Sequence, residues 1–305
     1  MNILVTGIEG QVAKCLKQQA AGRTDITITF SGRPQLELSD PATITQVMNE
    51  TQPDVVICAA AYTAVDKAED EPELAKIINE NAAGFLASAA ANIGAKLIYI
   101  STDYVFDGNN ENAYVETDAT GPTGVYGRTK LAGENSVRAA NPDHVIVRTA
   151  WVYSPFGSNF VKSMLRQANK RDEISVVSDQ LGNPTSAFNI ADGCLAICDT
   201  WKRGDLSNMG QVYHLAGTGV ASWAEFAEAI FEVSSQLGGP SCKVDKITSS
   251  EFPTKAKRPK NSVLNSDKFE NAFGYRCPPW RGEIEFVINH LIANDLSPTN
   301  SSIFE

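Results

Sequence analysis

Short apolar runs alternate with longer amphipathic segments along the first two thirds of the chain. The apolar runs predict buried parallel strands at residues 2–6, 26–30, 54–58, 97–100, 144–148 and 212–216. The segments between them predict helices at residues 14–20, 41–49, 71–94, from about 126 onward and at 189–201. Strands that alternate with helices in this way are typical of an α/β fold with a Rossmann-type, doubly wound parallel sheet.

The remaining segments leave this pattern and predict a smaller second lobe. Residues 152–186 leave the sheet, residues 187–218 return to it, and a helix with core spacing begins at Ser222. We therefore expect an NADP-binding Rossmann domain at residues 1–151, to which 187–218 return. The segments 152–186 and 219–305 are expected to form a C-terminal substrate-binding lobe. A length of 305 residues is at the upper limit for a single core, which agrees with this division.

Composition and charge narrow the class of protein. The formal net charge of -10 argues against nucleic acid or an anionic membrane as a partner. No apolar run approaches the roughly 20 residues of a membrane span, and no basic leader precedes the first strand, so we expect a cytoplasmic protein. The six cysteines form no C-x-x-C pair and the three histidines lie far apart, which predicts free thiols and no metal site. The polar tail from Ser297 to Glu305 is expected to be loose.

The turn between the first strand and the first helix has the composition of a dinucleotide-binding loop. Gly7 permits a tight turn, and Gly10 lets a pyrophosphate approach the backbone. Gln11 and Val12 then open a helix whose free N–H groups attract that anion. Ala13 stands where the fingerprint usually has its third glycine. An ordinary strand-to-helix turn is the alternative interpretation.

The ends of the next two strands indicate which cofactor is bound. The second strand leads into Arg33, where an NAD-selective site usually has an acidic residue for the ribose 2′-OH. Arg33 can pair with a 2′-phosphate and so favours NADPH, although a solvated loop arginine is the alternative. Ala60, Ala61 and Tyr62 follow the third strand, where small residues would let the cofactor lie close to the backbone.

A tyrosine and a lysine four residues apart are the candidate chemical groups. Tyr126 and Lys130 share one face of a predicted helix, and Thr102 follows the fourth strand at the sheet edge where ligands bind. The Tyr126 phenol can protonate the alkoxide left by hydride transfer to a ketone, and the neighbouring ammonium is expected to lower the phenol pKa. Thr102 would donate a second hydrogen bond, whereas Ser101 should face the other way. We expect Asn81 to hydrogen-bond backbone near this site. A solvated helix surface is the alternative.

These residues lie within longer motifs that resemble those of extended short-chain dehydrogenases/reductases over nearly the whole chain. The motifs occupy residues 6–10, 60–66, 101–108, 125–134, 148–153, 179–185, 258–262 and 279–281. The resemblance implies Thr102, Tyr126 and Lys130 as the catalytic set, with Tyr126 and Lys130 also contacting the cofactor. It further implies contacts to the substrate, which are assigned to Tyr104, Trp151, Arg258 and Asn261.

Within this family the chain resembles the branch that reduces a dTDP-linked 4-keto-6-deoxysugar. That branch implies NADPH as cofactor, with NADH also used by some members, and a monomer or homodimer. Some relatives form a dimer bridged by magnesium through glutamates, but Cys15 occupies that position here, so no metal is expected.

Three classes of function remain open on the sequence alone. The first is an NADPH-dependent reductase of the dTDP-sugar. The second is a nucleotide-sugar dehydratase or epimerase; dehydratases carry Asp-Glu after the catalytic Thr, whereas Thr102 is followed by Asp103-Tyr104. The residues do not exclude an epimerase, although Arg33 and the resemblance over the whole chain disfavour it. The third is a non-catalytic regulatory homologue, which is disfavoured because the catalytic set is complete.

Overall fold

A parallel sheet of six strands forms the centre of the molecule in the computed structural model, which describes residues 1–295. In chain order the strands are β1 Asn2–Thr6, β2 Thr27–Ser31, β3 Val55–Cys58, β4 Lys96–Thr102, β5 His144–Thr149, β6 Val152–Tyr153, β7 Glu173–Val177, β8 Leu181–Gly182, β9 Thr185–Ser186, β10 Gln211–His214, β11 Ala221–Ser222 and β12 Lys243–Ile247. The α-helices are α1 Gln11–Gln19, α2 Pro41–Thr51, α3 Val65–Ala68, α4 Pro72–Lys76, α5 Ala82–Asn92, α6 Val125–Ala140, α7 Phe160–Ala168, α8 Ala187–Lys202, α9 Trp223–Gln236, α10 Asp267–Phe273 and α11 Trp280–Asp295.

The order of the strands creates a crevice at one edge of the sheet. The order is β2-β1-β3-β4-β5-β10, with every neighbouring pair parallel. Because β1 lies between β2 and β3, the chain continues on opposite sides of β1, and ligands bind outside the carboxyl ends of strands at such a reversal. The glycine loop follows β1 and the alanine-rich segment follows β3, so both lie at this crevice. The predicted Rossmann-type, doubly wound sheet is confirmed.

Alternation along the strands places apolar side chains on both faces of the sheet. In β1, Ile3 and Val5 pack into a cluster with α1 and α8, whereas Leu4 packs into another cluster with α2 and α5. This is the period of two that a strand imposes on its side chains. The sheet is therefore covered by helices on both faces, which explains why its strands appear in the sequence as continuous apolar runs.

The helix predicted over residues 71–94 is not one regular helix. A π-helical turn at Ile77–Asn81 separates α4 from α5. Such a turn shifts the following side chains around the helix axis. Asn79 is consequently buried, while Asn81 is only half-buried. The prediction that Asn81 bonds backbone near the active site was wrong, because Asn79 makes that contact.

A separate apolar core lies in the second lobe. It is built by α7, α9 and α11 together with β7 and β12, which pair in parallel. Trp280, at the start of α11, and Tyr153, in β6, are both buried in this core, and the Tyr153 hydroxyl donates to the Trp280 carbonyl oxygen over 3.2 Å. The polar tail from Ser297 to Glu305 lies outside the described residues. Within residues 1–295, no helix combines the length and the hydropathy needed to cross a membrane.

Candidate active site

The glycine loop after β1 leaves backbone donors open to the crevice. Gly7 has a φ of +92°, a conformation that side chains rarely adopt, and its N–H donates to the Ser31 carbonyl oxygen over 2.6 Å. Gly10 is the N-cap of α1 and provides no side-chain cap for the N–H groups of the first turn. A Cβ added at Gly10 would meet nothing within 4 Å. The start of α1 can therefore be approached closely by a phosphate.

Gln11 joins the two lobes through its side chain. Its Oε1 accepts hydrogen bonds from Ser154 Oγ at 2.8 Å and from Asn159 Nδ2 at 2.9 Å. Asn159 is in turn the N-cap of α7, where its side chain accepts from the Lys162 N–H. The backbone N–H groups of Gln11 and Val12 belong to the first turn of α1, where a helix provides no acceptor for them, so they stay available for an anion. The Gln11 side chain itself is occupied by Ser154 and Asn159.

Arg33 lies on an exposed loop beside the glycine loop. The two loops are in contact, since a Cβ added at Gly32 would be 3.3 Å from the Ile8 side chain. Arg33 is exposed at this end of the crevice. Its guanidinium has the charge and the planar donors that a 2′-phosphate requires.

The alanine-rich segment after β3 lines a narrow recess together with Lys130. The Ala60 N–H donates to Thr6 Oγ1 over 3.1 Å, which holds the ends of β1 and β3 together. Ala60 and Ala61 line the recess on one side, and Tyr99 and Lys130 lie on another. Tyr62, which follows, donates its backbone N–H to the side chain of Asn79.

Asn79 is a buried residue of the site that sequence reasoning missed. Its Oδ1 accepts the Tyr62 N–H at 2.8 Å, and its Nδ2 donates to the Tyr62 carbonyl at 3.1 Å and to Thr129 Oγ1 at 3.2 Å. It thereby joins the segment after β3 to helix α6. A polar side chain in an apolar helix was the available signal, but the π-helical turn obscured which asparagine carries the role.

Lys130 is almost fully buried beneath the crevice. Its Nζ donates to the Ile100 carbonyl oxygen at 2.7 Å and lies 4.0 Å from the centre of the Tyr99 ring. Burial lowers the pKa of Lys130 to about 7, while the negative charge of Glu134 opposes this shift. The ammonium is thus held by a backbone carbonyl and an aromatic face.

Tyr126 lies one turn before Lys130 on α6, and its phenol has a raised pKa. Burial raises it to about 12, the negative charge of Asp103 adds to the increase, and a hydrogen bond with the Thr102 side chain lowers it. The sequence predicted that Lys130 would lower the pKa of this phenol. That prediction was wrong, because the cost of burying a phenolate exceeds any stabilisation by the Lys130 ammonium, which is bonded to Ile100.

Thr102 lies at the end of β4, next to Tyr126. Its Oγ1 donates to Asp103 Oδ1 at 3.0 Å and accepts the Tyr104 N–H at 3.2 Å. Asp103 is buried, and burial raises its pKa to about 6. Ser101 faces elsewhere, as strand alternation predicts, and donates to Glu134 Oε1 over 2.6 Å.

A cavity of about 290 Å³ lies against the second lobe, with Tyr104 forming its wall from the segment that follows β4. Its walls include Tyr104, Met164, Gln180, Trp223, Phe252 and Arg258. The Tyr104 ring also packs edge-on against Tyr126, with 5.7 Å between the ring centres. Arg258 is held by an ion pair from its Nη2 to Asp66 Oδ2 at 2.8 Å. Tyr104 therefore connects the cavity to the Tyr126 ring.

Two predicted substrate residues do not line this cavity. Trp151 has a φ of +45° and stacks on Trp223, with ring centres 3.5 Å apart and planes inclined by 5°. It supports the cavity wall from behind. The Asn261 amide donates to the carbonyl oxygens of Asn110 and Asn112 at 2.8 and 3.0 Å and so holds that loop. Trp223 and Gln180, which do line the cavity, were not predicted, because only the packing of the second lobe brings them there.

Reduction of a carbonyl requires a bound nicotinamide and a positioned acid, and this crevice has a place for each. The places for a nicotinamide and an acid, together with the strand order of the sheet, define the chain as an oxidoreductase of the short-chain dehydrogenase/reductase class. Within the class, the chain belongs to the family described as "RmlD substrate binding domain", whose model matches residues 1–293. The predicted resemblance to extended members of the class is thereby confirmed.

Characterised relatives resemble the chain over nearly its whole length. The dTDP-4-dehydrorhamnose reductase of Sinorhizobium fredii is 47% identical over 92% of this chain and 94% of its own. The Escherichia coli K12 protein of the same name is 39% identical over 95% of this chain and 98% of its own. A crystal structure of the Clostridium acetobutylicum protein of that name has a TM-score of 0.89, with 38% identity over 96% and 100% of the two chains. The Bacillus anthracis protein, solved in complex with NADP, has a TM-score of 0.85, with 35% identity over 95% and 99%.

Proposed function

We propose that this protein reduces dTDP-4-dehydrorhamnose to dTDP-L-rhamnose with NADPH. The observation that carries the proposal is the position of Tyr104. Its ring packs edge-on against Tyr126 and also lines the cavity, so a sugar bound at this end of the cavity would lie next to the pair of rings that includes the proposed acid. The names of the relatives above support the choice of substrate, and the NADP complex of the Bacillus anthracis protein supports the choice of cofactor.

The chain's own residues fit this cofactor. The open first turn of α1 binds the pyrophosphate, and Arg33 binds the 2′-phosphate. The small side chains of Ala60 and Ala61 let the nicotinamide ribose lie close to the backbone after β3, and Lys130, which lines the recess behind them, would donate to that ribose. When bound, NADPH supplies the hydride that is added to C4 of the sugar.

Tyr126 then provides the proton. When the carbonyl carbon gains the hydride, the carbonyl oxygen becomes an alkoxide, and the phenol donates its proton to that oxygen. The raised pKa of Tyr126 keeps the phenol protonated at neutral pH, as a donor must be. An alkoxide is a far stronger base than a phenolate, so the transfer remains favourable. The Thr102 hydroxyl, which donates to Asp103 Oδ1 in this structure, would turn its O–H to the substrate oxygen and stabilise the developing charge there. Solvent later restores the proton to Tyr126.

The cavity suits the nucleotide half of the substrate. Trp223 and Phe252 provide flat apolar walls for a thymine ring. Gln180 Nε2 donates to Ser249 Oγ at 2.9 Å, which leaves the Gln180 carbonyl oxygen to accept from the base. Arg258, at the wall of the cavity, supplies positive charge for the diphosphate. In this proposal the protein works in the cytoplasm as a monomer or homodimer, without nucleic acid or membrane as a partner.

Cofactor consumption tests the proposal. Pure protein is mixed with NADPH and dTDP-4-dehydrorhamnose, and nicotinamide absorbance is followed while the sugar product is identified by NMR. We expect one NADPH oxidised for each dTDP-L-rhamnose formed. A changed sugar without net oxidation would indicate an epimerase or dehydratase, and no turnover despite binding of both ligands would indicate a non-catalytic homologue.

A further inference from the structure

A fully buried carboxylate joins the catalytic helix to two strands of the sheet. Glu134, on α6, has no exposed surface. Its oxygens accept from Ser101 Oγ of β4 at 2.6 Å and from Arg148 Nε and Nη2 of β5 at 2.9 and 2.8 Å. Arg138, one turn later on α6 and partly exposed, donates to the same carboxylate at 3.1 Å. One side chain thus connects three elements of the site.

The position of Glu134 relates it directly to the catalytic residues. It follows Lys130 by four residues and Tyr126 by eight, so all three lie along one stripe of α6. Its partner Ser101 immediately precedes Thr102 on β4. A carboxylate fixed to Ser101 therefore sets the distance between the helix that carries the acid and the strand end that carries Thr102.

The charge of Glu134 also faces the Lys130 ammonium. Cys58 of β3 and Tyr99 of β4 line the same recess as Lys130, and Tyr126 precedes it by one turn on α6. Burial raises the pKa of the Cys58 thiol and of the Tyr126 phenol to about 12 and raises that of Tyr99 well above its usual value, so all three are neutral at pH 7. Within the described part of the chain, the negative charge acting on Lys130 at this pH is therefore that of Glu134.

We infer that Glu134 is the positioning residue of the Tyr126–Lys130 pair, which it holds against the sheet while supplying the charge that keeps the Lys130 ammonium protonated. The inference rests on the proposed function, since it assigns Glu134 a part in that reaction. Arg148 has a subordinate role, because its two hydrogen bonds hold the carboxylate in place from β5.

The pH dependence of the reaction separates this role from a purely structural one. Loss of the Glu134 charge should lower the pKa of Lys130, so the ammonium is lost at lower pH. The alkaline limb of the pH profile of kcat/KM should then move toward lower pH by about one unit, at the small end of the shifts that a nearby opposite charge produces. Glu134→Gln removes the charge, whereas Glu134→Asp retains it and should lower kcat without moving the limb.

A double variant keeps the test valid if Glu134→Gln fails to fold. Glu134→Gln leaves the Arg148 guanidinium buried without its partner, which is destabilising. Glu134→Met/Arg148→Met replaces the pair with apolar side chains of similar volume, an exchange that proteins often tolerate. Its alkaline limb should move in the same direction but less far, because the positive charge of Arg148 is removed as well. Arg138→Gln is the matched control, because it removes only the partly exposed partner and should leave the limb in place.

A measurement without turnover completes the test. The ε-carbon of Lys130, labelled with ¹³C and assigned by its loss in Lys130→Met, should titrate about one pH unit lower in Glu134→Gln and should move less far in the same direction in the double variant. Folded variants with a wild-type titration and a wild-type alkaline limb would overturn the inference. Failure of both charge-removing variants to fold would also overturn it, since Glu134 would then serve the fold in general. A wild-type protein without reductase activity would refute the proposed function, while the titration would still test Glu134.

Discussion

Gly127 follows Tyr126 on α6 and packs directly on the turn that carries Tyr104. A Cβ at Gly127 would lie 3.0 Å from the Tyr104 carbonyl carbon and 3.0 Å from the Pro122 Cβ, and closer still to the Tyr104 carbonyl oxygen. Two of these atoms are backbone and the third belongs to a proline ring, so none can rotate away. Gly127→Ala should therefore force α6 away from residues 103–105.

The structure sets the size of the expected effect. Overpacking of this kind costs about 1–3 kcal/mol, and the better helix propensity of alanine offsets up to about 1 kcal/mol of it. The net loss of unfolding free energy should thus be about 2 kcal/mol at most. The catalytic loss should be larger, because a displacement of about 1 Å at the reacting group costs on the order of 100-fold in rate.

Two measurements check this prediction. Denaturant unfolding gives the stability, and NADPH oxidation at saturating substrate gives kcat. Gly282→Ala on α11 is the matched control, since its Cβ would meet nothing within 4 Å; it should be as stable as wild type or more so, with unchanged kcat. A folded Gly127→Ala enzyme with the wild-type kcat would refute the close packing of Tyr104 and Tyr126 as the basis of the site.

Three further predictions concern the cofactor, the cavity wall and pH. Arg33→Ala should raise KM for NADPH roughly tenfold or more while leaving KM for NADH unchanged, because it removes charge-assisted bonds to the 2′-phosphate; equal effects on both would contradict this. Trp151→Ala should weaken substrate binding in calorimetry and cost about 1 kcal/mol or more in denaturant unfolding from the lost Trp223 stack, with unchanged NADPH affinity. Asp103→Asn should be more stable than wild type at pH 7 but not at pH 4. Burial raises the pKa of Asp103 in the folded protein to about 6, above its value in the unfolded chain, so the wild type loses stability as pH rises from about 4 toward 6 and the buried carboxylate becomes charged. A stability difference independent of pH would refute this prediction.

Local signals were sufficient for the sheet and for the spacing of the proposed reacting groups. The strands could be predicted because helices cover both faces of the sheet and leave uninterrupted apolar runs. The glycine loop could be predicted because its conformation depends on Gly7 itself, with its positive φ. The i, i+4 spacing of Tyr126 and Lys130 likewise depends only on the helix that carries them.

The predictions that failed concern features that depend on contacts between distant parts of the chain. The role of Asn79 was assigned to Asn81, because a π-helical turn changes the register of side chains without a clear mark in the sequence. The pKa of Tyr126 was predicted in the wrong direction, since it is set by burial that only tertiary packing creates. Trp223 and Gln180 went unrecognised because the second lobe brings them to the cavity from separate segments.

The most direct test of the account is the kcat of Tyr126→Phe, measured where a deuteride isotope effect shows that hydride transfer limits the rate. The substitution keeps the ring and its edge-on contact with Tyr104 and removes only the hydroxyl, so folding and NADPH affinity should stay at wild-type values. We expect kcat to fall by about 10²–10⁴-fold, the usual contribution of a general acid. A near-normal kcat under these conditions would contradict the assignment of Tyr126 as the proton donor.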